Sequence, residues 1–419
     1  MSNWKYEKLS KLCYRIGDGL HGTPEYSESS DVYFINGNNL KNGKIEITEN
    51  TKKVTSEELL KNFIQLDNNS LLLSINGTLG SMAFFKNEKV MLGKSAAYLN
   101  FKTEINKFYY YYFQLPSVQE HFHNVATGST IKNLSLKSIQ DFEVPVPEFN
   151  VWKNISKILS SLDAKIEINN RINSELEAMA KTLYDYWFVQ FDFPYSPPSE
   201  GCPQDGVVFG KPYKSSGGKM VWNAELKREI PEGWEVNELS KVLTIKYGKD
   251  HKKLNEGAIP VYGSGGIMRY ADKALYNDEA ILIPRKGSIG NLFYIAEPFW
   301  SVDTMFYTIA TAKDSTLYYF YQLSKLNLKT LNVGTAVPSL TTEVLNQIKL
   351  LIPDSEVMLK FNSIVSKNKS QILLNLKENQ ELAALRDWLL PMLMNGQVSV
   401  SDVEEELGMV AEPREIYKN

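Results

Sequence analysis

The stretch from Ile155 to Phe193 reads ISKILSSLDAKIEINNRINSELEAMAKTLYDYWFVQFDF. Its apolar residues recur every three or four positions, with one gap of six around Asn169, which places them in one stripe on a long helix. At about 1.5 Å per residue, some 35 residues would span roughly 50 Å, more than one small domain needs for its core. The sequence therefore predicts a spacer or an interface helix. The stripe consists of Ile155, Ile158, Leu162, Ile166, Ile172, Leu176, Met179, Leu183 and Trp187.

A second stretch, from Phe361 to Leu393, repeats this pattern at a constant offset of 206 residues. The matched apolar pairs are Ile158 with Ile364, Ile166 with Ile372, Leu176 with Leu382, and Leu183 with Leu389. Asn169 and Asn173 recur as Asn375 and Asn379, and polar residues on an apolar seam usually fix register or oligomeric state. The repeat predicts that the two helices pair, the alternative being two unrelated surface helices. The residues predicted to form this pair or to bind a partner are Leu162, Ile166, Asn169, Leu176, Leu183, Trp187, Ile372, Asn375, Leu382 and Leu389.

Length and charge indicate more than one domain and no global preference for nucleic acid. The chain has 419 residues and a formal net charge of −3. A chain of this length usually folds into two or more domains. Residues 398–419 carry six acids against Arg414 and Lys418, a net −4, so the remainder carries −3 − (−4) = +1. Since nucleic-acid-binding domains are often strongly basic, any DNA contact is expected from local patches.

Neither a secretion signal nor a membrane span is evident, because no apolar h-region opens the sequence and no run of about 18 apolar residues occurs. We therefore expect a cytoplasmic protein with no membrane partner. Cys13 and Cys202 differ too much in position and context to indicate a disulfide framework or a zinc cluster. Both are expected to be free thiols, and no metal site is predicted.

The two halves of the chain follow the same order, which indicates an internal duplication. Leu71–Leu73 followed by Gly77-Thr78-Leu79-Gly80 corresponds to Ile281–Ile283 followed by Gly287-Ser288-Ile289-Gly290. GSTIKNLSLKSIQDFEVPVP from residue 128 likewise corresponds to GTAVPSLTTEVLNQIKLLIP from residue 334. A period of about 200 residues is too long for a solenoid. The predicted fold is α+β (mixed α/β), with two duplicated globular domains and two long helices.

Proline-rich breaks and helical periodicity divide the chain into six predicted segments. The loops differ between the repeats, while the helix and domain-end motifs keep their order. This pattern fits two domains of one architecture that read different targets. The segments are a first globular domain (1–150), a spacer helix (151–193), a linker (194–228), a second globular domain (229–356), a second spacer helix (357–397) and an acidic tail (398–419).

Motifs for ATP, metal and methyl-transfer chemistry are missing from the sequence. Gly93-Lys94-Ser95 matches the end of a phosphate-binding loop, but Glu88 stands where its first glycine belongs. No His-Glu-x-x-His occurs among the four histidines. The Pro197-Pro198 pair follows Ser196 rather than the Asn or Asp of an adenine-methyltransferase motif. We predict a non-catalytic chain that binds no cofactor of its own.

Polar turns after the duplicated strands are the candidate DNA contacts. In the second domain, Arg285, Lys286 and Ser288 would present a guanidinium, an ammonium and a hydroxyl, which suit phosphates or guanine edges. The equivalent turn of the first domain offers only amide and hydroxyl groups, so the two turns would read different bases. A solvated turn without DNA contact is the alternative. The first-domain candidates are Ser74, Asn76 and Thr78.

Glycine-led loops near the end of each domain add further candidates for phosphate contact, with ordinary turn chemistry as the alternative. These candidates are Ser129, Thr130, Lys132 and Thr335. The aromatic runs Tyr109–Tyr112 and Tyr318–Tyr321 have the chemistry for base stacking. Their apolar surroundings instead favour packing of a helix into each domain core.

Three phrases of the sequence resemble parts of the specificity subunit of type I restriction–modification systems. LYDYWFVQFDF (183–193) is similar to that family's central conserved end, and REIPEGW (228–234) to the start of its second target-recognition domain. RDWLLPMLMNGQ (386–397) is similar to its distal conserved end. The phrases are fairly specific in combination, and the resemblance covers nearly the whole chain apart from the acidic tail.

The resemblance implies a subunit that acts by binding double-stranded DNA. In that family each globular domain is a target-recognition domain for one half of a bipartite site, and the long helices pair as an antiparallel ruler. Modification subunits, expected in two copies, methylate adenine with S-adenosylmethionine, and restriction subunits use ATP to translocate and cut. Two other classes stay open: a diverged fused methyltransferase–nuclease, and a helical scaffold with no role on DNA.

Overall fold

The computed structural model describes residues 4–129, 131–195, 210–331 and 339–398. The chain divides into two compact units, Met1–Ile168 with Lys377–Asn419, and Asn169–Leu376. Both units combine helices with strands, so the predicted α+β class is confirmed. Within the described ranges, none of the helices has the length and apolarity that crossing a bilayer requires.

The first unit begins with short strands and helices that lead to the first long helix. Its helices are α1 (Leu9–Leu12), α2 (Ser56–Lys61), α3 (Asn106–Tyr112), α4 (Pro116–Val125) and α5 (Leu136–Asp141), with a 3₁₀ turn at Gly37–Asn39. Its strands are β1 (Lys5–Lys8), β2 (Cys13–Asp18), β3 (Val32–Ile35), β4 (Leu40–Lys41), β5 (Lys44–Ile45), β6 (Lys53–Val54), β7 (Ser70–Ser74), β8 (Met82–Phe84), β9 (Val90–Leu92), β10 (Ala96–Phe101) and β11 (Glu143–Val146).

An antiparallel sheet of order β2-β10-β7-β8 forms the centre of this unit. Strand β7 lies inside that sheet and is buried along its whole length, which explains its run of three leucines. A smaller sheet of order β6-β3-β9 and the pairs β1-β11 and β4-β5 complete the strand pairing. The Tyr109 hydroxyl donates a hydrogen bond of 2.9 Å to the Pro145 carbonyl, which ties α3 to β11.

The second unit repeats this design after two extra strand pairs. Its short helices are α7 (Leu239–Val242), α8 (Thr316–Ser324) and α9 (Thr342–Asn346), with a 3₁₀ turn at Leu328–Leu331. Its strands are β12 (Pro194–Tyr195), β13 (Lys211–Pro212), β14 (Met220–Asn223), β15 (Arg228–Pro231), β16 (Glu235–Glu238), β17 (Leu243–Tyr247), β18 (Ile259–Gly263), β19 (Gly266–Ala271), β20 (Ala280–Pro284), β21 (Phe293–Ile295), β22 (Trp300–Ser301), β23 (Met305–Ala310) and β24 (Lys349–Ile352).

Sheet order confirms the predicted duplication. The four-stranded order β17-β23-β20-β21 repeats β2-β10-β7-β8, and β19-β18-β22 repeats β6-β3-β9. The Tyr318 hydroxyl donates to the Leu351 carbonyl at 2.8 Å, the bond that Tyr109 makes in the first unit. Both aromatic runs are largely buried in the cores of their units, so core packing, rather than base stacking, accounts for them.

The two long helices are α6 (Phe149–Tyr184) and α10 (Ser355–Asn395). The first was predicted to run to Phe193, but it gives way to a π-helical turn at Asp185–Val189. Phe191 then adopts a positive φ of 67°, and the aromatic side chains of this end are buried in the core of the second unit. Aromatic burial therefore ends the helix earlier than its apolar pattern indicated.

In the first unit, the beginning of α6 packs against the end of α10. Asp163 forms an ion pair with Arg386 at 2.7 Å, and it also accepts a hydrogen bond of 2.7 Å from the Tyr111 hydroxyl. Lys165 pairs with Glu378 at 3.4 Å. Because residue numbers rise along α6 as they fall along α10, the helices run antiparallel here.

In the second unit, the end of α6 packs against the beginning of α10. The Asn375 side-chain amide donates to the Asn173 side-chain oxygen at 2.8 Å in a buried contact. Glu177 pairs with Lys369. The direction is again antiparallel, and both asparagines lie on the seam as predicted.

Candidate nucleic-acid interface

The turn after β7 in the first unit is an exposed loop that two glycines make possible. Gly77 and Gly80 have φ values of 77° and 83°, the left-handed region that favours glycine. A Cβ at Gly77 would have no neighbour within 4 Å, so this end of the turn faces open space. Thr78 is exposed and Asn76 is partly buried.

Ser74 does not fit the prediction of a DNA contact. It is fully buried, and its Oγ lies 3.0 Å from Thr78 Oγ1 and 3.3 Å from the Asn76 carbonyl. A Cβ at Gly37 would lie 2.2 Å from Ser74 Oγ, so the chain at Gly37 closes over this hydroxyl. Ser74 therefore holds the turn in shape from inside.

The glycine-led loop lies beside this turn, so the structure brings two predicted groups together. The Leu134 amide donates to the Ile75 carbonyl at 2.9 Å. The loop is closed by two hydrogen bonds between the Thr127 and Asn133 backbones, at 3.0 and 2.7 Å. Ser129 and Lys132 are exposed on it, while Thr130 lies outside the described residues.

In the second unit the equivalent turn carries the predicted cations. The Arg285 backbone is held on both sides: its amide donates to the Thr304 carbonyl and its carbonyl accepts from the Leu340 amide, both at 2.9 Å. Its guanidinium lies 5.5 Å from the centre of the exposed Tyr247 ring, within cation–π range. Lys286 and Ser288 are exposed.

The loop that lies beside this turn is described by the structure only from Ser339 onward. Ser339 forms an isolated β-bridge with Lys286, matching the bridge between Asn76 and Asn133 in the first unit. Thr335 lies outside the described residues. The two units thus present the same backbone arrangement with different side chains.

A basic segment beside the Arg285 turn was missed by the sequence analysis. Residues 246–253 read KYGKDHKK, with exposed lysines on both sides of Tyr247. The Lys249 carbonyl accepts a hydrogen bond of 2.9 Å from the Trp300 indole, and the Lys249 amide donates to the Ser301 carbonyl at 2.9 Å. The charge run itself was a usable signal, and it supplies a local patch of the kind that a near-neutral chain requires.

In the first unit, the missed neighbours are uncharged. Ser95 Oγ donates to the Asn36 side-chain oxygen at 2.9 Å and accepts from the Gly37 amide at 2.9 Å. The Asn36 amide in turn donates to the Asn39 side chain at 3.0 Å. This network fixes the segment that covers Ser74, and it leaves Asn38 and Lys94 exposed.

Most of the predicted helix-pair residues lie on the seam, but the apolar stripe was partly wrong. Ile172 is 36% exposed, Met179 61% and Ile364 44%. From Leu162 the seam continues in steps of three and four through Ile166, Asn169 and Asn173, so Ile172 lies off it. Leu162, Asn169, Trp187, Ile372, Asn375 and Leu389 are buried, and Ile166, Leu176, Leu183 and Leu382 are partly buried.

Two of the phrases that carry the resemblance pack together in the second unit. The Arg228 guanidinium donates to the Phe188 carbonyl at 3.2 Å and lies 4.4 Å from the centre of the Phe191 ring. Trp234 stacks on Phe193 with ring centroids 5.0 Å apart. These contacts give a physical reason for the two phrases to occur together.

Comparisons with known proteins agree with the resemblance. The family model described as type I restriction modification DNA specificity domain matches residues 1–178 and 231–384. The type I restriction enzyme MjaIX specificity subunit of Methanocaldococcus jannaschii is 24% identical over 96% of this chain and 95% of its own length. The HindI specificity subunit of Haemophilus influenzae is 22% identical over 67% of this chain and 74% of its own length.

One solved structure supports the fold. The crystal structure of a type I restriction–modification S subunit from M. genitalium aligns with a TM-score of 0.61 at 19% identity. The alignment covers 93% of this chain and 96% of that one.

Proposed function

Because the chain belongs to the family of type I restriction–modification DNA specificity domains, we propose that it selects the DNA site for a type I restriction–modification complex. Residues 1–150 and 229–356 each read one half of a bipartite site. The helices at 151–193 and 357–397 set the spacing between the halves and dock the modification subunits, while 194–228 connects the two parts. The family assignment favours this function over a fused methyltransferase–nuclease or a helical scaffold.

One observation carries the proposal: both units hold the same turn with equivalent backbone hydrogen bonds, but the side chains on the turn differ. The first turn offers Asn76 and Thr78, and the neighbouring loop adds Ser129 and Lys132. Amides pair well with adenine edges, and hydroxyls accept or donate to any base. This unit is therefore suited to reading mainly through neutral hydrogen bonds.

The second turn offers a guanidinium, an ammonium and a hydroxyl from Arg285, Lys286 and Ser288. A guanidinium can pair in bidentate fashion with guanine O6 and N7, while lysines of the 246–253 segment can contact phosphates. The Arg285 guanidinium also lies 5.5 Å from the centre of the Tyr247 ring. The two units would therefore specify unlike half-sites.

The chain is proposed to contribute recognition, with the chemistry supplied by its partners. Modification subunits, two in the complete complex, would transfer methyl groups to adenine, and restriction subunits would cut with ATP. The described residues contain no group of three His, Cys, Asp or Glu side chains placed to hold a metal ion.

Mapping methylated adenines in a host that carries this chain with its modification partner tests the proposal. We expect methylation at one bipartite motif that disappears when the gene for this chain is deleted. Methyl transfer to DNA by the purified chain alone would contradict the proposal and favour the fused-enzyme alternative.

A further inference from the structure

The first unit covers one edge of its central sheet with its own chain. Strand β8 is the outermost strand of that sheet. Gly43, between β4 and β5, donates its amide to the Met82 carbonyl and accepts from the Phe84 amide, both at 3.1 Å. The outward-facing backbone groups of β8 are therefore satisfied within the unit.

Strand β21 occupies the same place in the second unit. Leu72 pairs with Ala83 in the first sheet, and Leu282 pairs with Phe293 in the second. This register makes Leu292 the counterpart of Met82, and Tyr294 the counterpart of Phe84. The aromatic contacts agree, since Phe84 lies on Tyr110 (4.8 Å) as Tyr294 lies on Phe320 (6.0 Å).

The segment that would cover β21 is missing from the second unit. In the first unit, residues 36–52 lie between β3 and β6 and include the β4–β5 hairpin. In the second, β18 ends at Gly263 and β19 begins at Gly266, so only two residues separate the corresponding strands. Because a strand directs alternate backbone groups to opposite sides, the Leu292 carbonyl and the Tyr294 amide face outward. Outside the strand ladders, the described residues form no backbone hydrogen bond to either group.

The edge is short, since β21 spans three residues and Glu297 and Pro298 follow soon after it, but the strand itself carries no chemical block. Residues 291–296 read NLFYIA, without a charge or a proline. Natural edge strands are commonly blocked by lysine, proline or a bulge, because an open apolar edge pairs with other chains. An unblocked edge of this kind is suited to binding an extended polypeptide.

The edge forms one wall of a groove of about 760 Å³ within the second unit. Leu373 and Leu376 of α10 also line this groove and are 41% and 46% exposed. Lys325 and Lys369 also line the groove, but they form ion pairs with Asp185 and Glu177. Lys181 lines it as well, is exposed, and has no ion pair among the described residues.

We propose that this groove binds an extended segment of the modification subunit, which adds a strand to β21. The proposal rests on the proposed function, because the groove shares its α10 wall with the helix pair assigned to docking that subunit. The outward amide and carbonyl groups can form hydrogen bonds with a polypeptide backbone. The free Lys181 can form an ion pair with a carboxylate on the bound segment.

The bound segment does not need a glycine at the position of Gly43. A Cβ at Gly43 would lie 3.1 Å from the Tyr110 hydroxyl. In the second unit the ring that contacts Tyr294, as Tyr110 contacts Phe84, belongs to Phe320, which has no hydroxyl. The groove of the second unit therefore admits a residue with a side chain.

Amide hydrogen exchange of the full chain, alone and with saturating purified modification subunit, tests the proposal without a mutation. We expect the Tyr294 amide to exchange at least tenfold more slowly in the complex. The Phe84 amide, already bonded to Gly43, is the internal control and should not change. Equal exchange at Tyr294 in both states would overturn the proposal. If Tyr294 instead becomes protected without the modification subunit as the chain concentration rises, the edge binds a second copy of this chain and the proposal is also wrong.

A pair of variants isolates the backbone bond. Tyr294→Pro removes the outward N–H, while Tyr294→Ala removes the same ring and keeps the N–H. We expect Tyr294→Pro to bind the modification subunit about tenfold more weakly than Tyr294→Ala, which corresponds to about 1.4 kcal/mol. Equal affinity of the two variants would overturn the proposal.

The two proposals fail in different ways. If the wild-type complex methylates its bipartite site while Tyr294 shows neither protection nor a proline effect, only the strand addition is wrong. If the wild-type chain neither binds the modification subunit nor directs methylation, the proposed function itself is wrong.

Discussion

The two units carry different side chains on one equivalent turn. Ile75 is buried where the second unit has the partly buried Arg285, and Asn76 stands where it has the exposed Lys286. The backbones of both turns are held by equivalent bonds, from Leu134 and from Leu340. Under the proposed function, side-chain changes at this turn would alter specificity without moving its backbone.

Substituting the two cations separately should distinguish base reading from phosphate contact. Arg285→Ala is expected to cost about 1–3 kcal/mol of binding and to relax one position of the half-site, because a base-edge contact is lost. Lys286→Ala should weaken binding to all sequences evenly and reduce the salt slope by about one phosphate contact. DNA affinity across a substituted-site panel and a salt series would measure both effects.

Asn76→Ala provides the matched control for these variants. It changes the equivalent turn of the first unit, so any loss of discrimination should fall in the other half-site. If Arg285→Ala and Lys286→Ala both bind like the wild type, this turn is an ordinary solvated loop.

Exposure of residues such as Thr78, Lys286 and Ser288 could be predicted from turn chemistry. The burial of Ser74 could not, because it depends on the backbone of Gly37, which is distant in sequence and arrives through the 3₁₀ turn. A local pattern carries no information about which segment covers it.

At the scale of elements, the long helices are held together by polar as well as apolar contacts. Asn173 and Asn375 bond to each other in a buried position, and Gln371 donates to the Asn375 side-chain oxygen at 2.8 Å. Such groups stabilise one register because a shifted register would leave them unbonded.

Asn375→Leu should lower the free energy of unfolding by about 1–3 kcal/mol, because it leaves the buried Asn173 side chain without its partner. The double variant Asn173→Leu/Asn375→Leu should recover most of this loss, since both buried asparagines are then replaced and the exposed Gln371 amide can bond to water instead. Urea denaturation of both variants measures the effect. A double variant less stable than the single one would show that the two asparagines do not act as a pair.

The two long helices could be predicted because apolar residues recur at helical spacing. The duplication could be predicted because matching motifs occur in the same order in both halves of the sequence. The seam could not be fully predicted, since Ile172 and Met179 are apolar and yet exposed. The uncovered edge of β21 could not be predicted from the sequence either. It results from a missing hairpin between two strands, which only the register of both sheets reveals.

At the scale of the whole molecule, the account holds that the helices set the gap between two independently read half-sites. Half-sites on one face of DNA lie about one turn, roughly 34 Å, apart, and helices of 36 and 41 residues are long enough to set such a distance. This role also explains why their lengths exceed what either core requires.

Inserting seven residues into both helices, near Asn173 and Asn379, should widen the gap. Seven residues add roughly 10 Å while nearly preserving the apolar face. At about 3.4 Å per base pair, the unspecified gap should grow by up to about three base pairs, with the added twist limiting the gain. Methylation mapping of the variant provides the measurement. An unchanged gap with retained activity would mean that the helices hold partner subunits without measuring DNA.

The most direct test of the central claim replaces residues 1–150 with the first domain of another family member and maps methylated adenines in a host that carries the modification partner. We expect one half of the bipartite motif to change, while the other half and the gap stay the same. A motif that changes in both halves would contradict independent reading by two domains.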